Sequence, residues 1–318
     1  RVPAADAALL VSLLSGAAVL VVVYALARRA YNEPPAFLAV AYLAVSGFFF
    51  KIATTAWSET TGIAFLALAF YLVALDRSTR ARQLWIPIAA GVAACLALYA
   101  RYALLPMAGV AGLLLIERKD ARATLRNWAL FGGAYLMVAL PLLLRNAHLS
   151  DTVLGPHRPA SDVGLLSNLA RLYLSTATSV LAPFQLRSVA RWLLPAEWLL
   201  VTLAVLSVLV GLFFRRFRAR VRGGLHPSFL GGKRYVFTAW ALGYLAYIVV
   251  YRSYTHFDPL DARLLAPGLV PLAVPVTAFL AGFFRLSETG LRRWTAGFLV
   301  LGLAMAGAIA FALPVTDY

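Results

Sequence analysis

Apolar residues in this chain come in runs of about twenty, the length an α-helix needs to cross roughly 30 Å of hydrocarbon. Ten segments can be marked: 7–27, 36–56, 60–75, 84–100, 102–116, 127–144, 192–214, 235–251, 264–284 and 294–313. The fourth and fifth are divided by Arg101 and Tyr102, which predicts a re-entrant pair or two tilted half-helices. Residues 164–183 follow another pattern. There Leu166, Leu169, Tyr173, Ala177 and Val180 share one helical face, with Asn168, Arg171, Ser175 and Ser179 opposite. This predicts an amphipathic helix lying in a membrane interface. A polar island at 54–61 separates the apolar runs 36–50 and 62–75, and Glu59 is its only carboxylate. A charge where two membrane segments meet is costly, so its default reading is functional.

Composition agrees with the pattern. The chain is 62% hydrophobic and 13% charged, with a mean hydropathy of +0.80, outside the range of soluble domains. The expected fold is all-α and polytopic: one transmembrane domain over 1–318, with outer loops at 145–191 and 252–263. The net charge of +16 then belongs to loops and lipid headgroups, and implies membrane lipids rather than nucleic acid as partners. The single cysteine, Cys95, excludes an internal disulfide and a cysteine metal cage. The four histidines lack ligand-type spacing.

Charge also orients the map. With Arg28 and Arg29 placed in the cytoplasm, the alternate loops 76–83, 117–126, 215–234 and 285–293 fall inside, and together with that pair they account for 19 of the 29 basic residues. Glu59 then lies on the outer side, and the expected location is the cytoplasmic (inner) membrane. The remaining basic residues oppose the insertion bias; they include Arg101, Arg145, Arg252 and Arg263. Scattered at outer helix ends, they suggest an outward site for an anion, because guanidinium groups suit bidentate contact with phosphate or carboxylate. They also suit headgroup contacts or pairs with Asp151, Asp162 and Glu197. The loop 252–263 concentrates Tyr254, His256, Asp258, Asp261 and Arg263 before a helix, as a substrate cavity or as a polar cap with internal ion pairs.

These features occur in a recognisable order. A membrane helix meets Ser58-Glu59 and a basic turn follows; then come Gly91, Tyr99-Ala100-Arg101-Tyr102 and Pro106. A later helix closes with Pro141 to Arg145-Asn146, and Asp261-Ala262-Arg263 leads to Pro267. Over roughly residues 10 to 270 this order resembles the polyprenyl-phosphate-sugar-dependent glycosyltransferases of the GT-C fold. That group includes protein mannosyltransferases and the aminoarabinose transferase of lipid A.

The resemblance implies transfer of a sugar from a lipid-phosphate donor on the outer face. Glu59 matches the family's second acidic position, a catalytic position near the acceptor or a divalent metal (Mg or Mn). Arg101 and Arg263 match basic residues that hold the donor phosphate, joined by Arg145, with Tyr102 in the substrate cavity. The family's principal catalytic aspartate sits in a first outer loop, after a first membrane helix. This chain starts at Arg1 beyond that point, and the context of Asp6 does not match. Two other readings therefore stand beside the enzyme. One is a non-catalytic GT-C-like subunit packed on a membrane-protein partner through the small residues of 302–312; the other is a lipid or sugar transporter.

Overall fold

In a computed structural model, the residues described are 4–55, 58–117, 120–150, 152–153, 159–181, 235–255 and 260–283. They are almost wholly helical; the one extended pairing among them is an isolated antiparallel bridge, Ala160 to Thr255. Among the described residues, four helices are long and apolar enough to cross a membrane: α1 (Ala4–Tyr31), α5 (Arg80–Ala100), α7 (Ala121–Ser150) and α9 (Tyr235–Tyr254). The pair α2 (Glu33–Val45) and α3 (Gly47–Ala53) is long and apolar enough only when taken together and is bent by 68°, the shape of a broken span or a re-entrant loop. The protein is a multi-pass helical membrane protein. The predicted segments 192–214 and 294–313 lie outside the described residues.

Local chemistry sets the helix ends. Asn32 adopts a positive φ of 100°, which separates α1 from α2, and Pro34 and Pro35 then open α2 where no backbone donor is required. The α2–α3 bend falls at Ser46, whose hydroxyl donates to the Leu43 carbonyl at 2.8 Å and competes with the helix ladder. Segment 36–56 is therefore two helices instead of the one predicted. Arg101 is extended and ends α5; Tyr102–Leu104 form a single 3-10 turn, and Pro106 starts the short α6 (Leu105–Leu113). Of the two predicted half-helices, the first is a full span and only the second is short. Helix α7 continues to Ser150, so Arg145 and Asn146 belong to a helix and not to a loop.

Helix α4 (Ser58–Val73) lies at the centre, against α1 and α5, and α5 packs on α7. The contact between α5 and α7 depends on Gly91, where a Cβ would stand 2.3 Å from the Phe131 carbonyl oxygen. Helix α10 (Ala262–Phe283) lies between α2 and α9. Phe70 of α4 stacks on Trp240 of α9 at 4.8 Å, and both rings are fully buried.

Candidate functional site

Helix α4 has 16 residues, a rise of about 24 Å, less than the roughly 30 Å of a hydrocarbon layer. Its first turn carries Glu59, which is only 2% exposed. A buried carboxylate at that depth requires a cationic partner. It has two. The Arg101 guanidinium Nη1 donates to Glu59 Oε1, and Arg263 Nε donates to the same oxygen at 2.5 Å. Three elements distant in sequence converge here: the start of α4, the break after α5 and the first turn of α10.

The two arginines differ in access. The Arg101 side chain is 11% exposed, whereas Arg263 is 39% exposed and forms the open side of the cluster. Among the described residues, two guanidiniums meet one carboxylate here. Such a cluster can receive an anion, because guanidinium donors make short, charge-assisted hydrogen bonds to phosphate oxygens.

Surrounding residues fix this geometry. Asp261 Oδ1 accepts from the Leu264 amide at 2.8 Å and so caps α10. The buried Tyr244 hydroxyl of α9 donates to the Leu264 carbonyl, also at 2.8 Å, which ties the turn carrying Arg263 to its neighbour. Nothing in the sequence pattern of α9 singles out Tyr244 among its many aromatics. On the other flank, Asn146 Nδ2 donates to the Tyr102 hydroxyl at 2.7 Å and links α7 to the turn after Arg101.

Other predicted residues stand apart. Arg145 is exposed and makes no ion pair with Glu59. Tyr254 is exposed, and Asp261 is engaged in capping α10. His256 and Asp258 lie outside the described residues. Arg252, a basic residue against the insertion bias, is instead buried at the end of α9.

Helix α8 (Leu165–Leu181) falls within the predicted amphipathic stretch and lies beside α9 and α10. Asn168 and Ser175 of its polar side meet the protein, whereas Arg171 of the same side is exposed. Buried Asn168 donates to Ser253 Oγ at 3.0 Å, and the Ser175 hydroxyl donates to the Leu260 carbonyl. Leu166 is 81% exposed, and Leu165 and Leu169 are exposed beside it.

Among the described residues, no three His, Cys, Asp or Glu side chains come together as a metal site. With Glu59 held by two guanidiniums, these residues do not fit a divalent metal.

No curated protein and no solved structure matches the chain. A family model described as dolichyl-phosphate-mannose-protein mannosyltransferase matches residues 4–144, a span that includes Glu59 and Arg101 but not Arg263. Over residues 4–144, somewhat less than half of its length, the chain is thus similar to the dolichyl-phosphate-mannose-protein mannosyltransferases, which supports a membrane glycosyltransferase of the GT-C type.

Proposed function

We propose that the protein transfers a sugar from a polyprenyl-phosphate donor to an acceptor on the outer face of the cytoplasmic membrane, with the donor phosphate bound at Arg101 and Arg263. The observation that carries this reading is the convergence of both guanidiniums on buried Glu59. When the sugar–phosphate bond breaks, negative charge grows on the leaving phosphate. Donors fixed in advance around that oxygen stabilise the transition state most. Arg263, the more exposed of the pair, makes the first contact with the phosphate, and Arg101 supports it from within. Glu59 acts as a positioning residue that holds both guanidiniums together. The match to a mannosyltransferase family favours this reading over the subunit and the transporter. Charge supports the outward face, since the opposite ends of the helices carry Arg28, Arg29, Arg77, Arg80 and Arg82.

The test uses the chain in proteoliposomes with a radiolabelled polyprenyl-phosphate sugar, measuring donor retention and transfer separately. Arg263→Lys keeps the charge and loses the planar fork. A charge-assisted hydrogen bond contributes about 1.5–3 kcal/mol, so donor use should fall about tenfold or more, with KM for the donor rising. Donor retention and transfer equal to wild type in Arg263→Lys would overturn the phosphate assignment.

A further inference from the structure

At the end of the bundle remote from Glu59, α6 and α7 leave an apolar groove of about 280 Å3. Gly109, Gly112 and Leu113 of α6 form one wall; Trp128, Gly132 and Leu136 of α7 form the other. The groove exists because glycines stand where side chains would fill it. A Cβ added at Gly109 or Gly132 meets no atom within 4 Å. Trp128 is held at its mouth by an indole N–H donated to the Gly112 carbonyl at 2.8 Å, with the ring still partly exposed. Leu113, Leu136 and neighbouring Met137 are exposed along its edges, so it opens to the surface and not into the core.

We propose that this groove binds an acyl chain of an anionic phospholipid from the leaflet opposite Glu59. An apolar cleft in the hydrocarbon layer does not hold water, and left empty its lining forfeits dispersion contacts. A lipid chain is narrow enough to lie between the Trp128 and Leu113 ridges, whereas a second helix would have to clear them. Charge specifies the headgroup. The first turns of α7 carry Arg122 and Arg126, both exposed, within about 9 Å of Trp128 along the helix axis. The neighbouring carboxylates are engaged elsewhere. Glu117 pairs with Arg77 at 2.7 Å, and Asp120 accepts from the Ala123 amide at 2.9 Å. The basic pair is therefore placed to meet a phosphodiester at headgroup level, with its chain in the groove below.

The experiment incorporates the chain into bilayers containing phosphatidylglycerol with a diazirine in the middle of one acyl chain, beside a phosphatidylcholine analogue. Labelled residues are mapped by mass spectrometry after irradiation. In the wild-type protein, α6 and α7 around Gly109 and Gly132 should be labelled at least several-fold above the lipid-facing positions Leu14 and Val21 of α1, and more by the anionic probe. Gly132→Leu should reduce that labelling at least fivefold, and Arg122→Gln with Arg126→Gln should remove the anionic preference. The wild-type map decides the matter even where Gly132→Leu folds poorly. Uniform labelling of the whole lipid-facing surface would overturn the proposal. So would disulfide cross-linking between two copies through Gly132→Cys without lipid labelling of the groove.

Discussion

Glu59 is legible in the sequence as a lone carboxylate in a polar island, but its partners are not. The family resemblance implies a group that serves an acceptor or a metal; the structure shows a carboxylate bound by two guanidiniums. The difference changes what a substitution does. Glu59→Gln leaves two cations with their shared counter-ion removed, one of them nearly buried. Breaking a fully buried pair costs about 3–5 kcal/mol, and the exposure of Arg263 brings the expected loss toward the lower end. Glu59→Gln should therefore lower the thermal unfolding midpoint in detergent by several degrees and weaken donor binding as well. An unchanged midpoint would mean that the ion cluster contributes nothing to the fold. Tyr244→Phe separates position from stability: it deletes a hydroxyl bonded to the Leu264 carbonyl and keeps the ring. It should cost about 0.5–1.5 kcal/mol and raise KM for the donor more than it lowers kcat.

Among the elements, the contact between α5 and α7 is set by a single backbone approach. Gly91→Ala places a Cβ against the Phe131 carbonyl, which cannot rotate away as a side-chain end could. The helices must separate, at a cost of about 1–3 kcal/mol. That separation should appear as a lower unfolding midpoint, while Gly133→Ala, with open space at its Cβ, should match wild type. Helix α8 shows what periodicity leaves open. Spacing assigns leucines to one face and polar residues to the other, but does not say which face meets the protein. Asn168 and Ser175 find partners on α9 and the residues leading into α10, which turns Leu166 outward. The surroundings of a membrane protein include lipid, so an outward apolar face is compatible with this packing.

At the scale of the whole molecule, charge predicts sidedness. Asp162 lies at the Glu59 end and Ser78 at the opposite end, and both are exposed. Asp162→Cys should react with a membrane-impermeant maleimide from outside intact cells and Ser78→Cys should not. Buried Cys95 contributes little background. Reversed labelling would invert the topology. The sequence by itself determined that the chain is helical and crosses the membrane more than once, because about twenty apolar residues can satisfy their backbone in lipid only as a helix, but it did not show the break at Ser46 within the predicted segment 36–56. It also marked the end of α5 at Arg101 and singled out the arginines that oppose the insertion bias. Tertiary structure alone decided which of those arginines meet Glu59. Arg101 and Arg263 lie 42 and 204 residues from it, and Arg145, equally plausible by pattern, is exposed and forms no ion pair with it. The physical reason is that hydropathy acts along one helix at a time, whereas an ion cluster depends on how separate helices pack. That packing depends on close approaches such as Gly91 and on hydrogen bonds such as Tyr244 to Leu264, neither of which has a periodic signature.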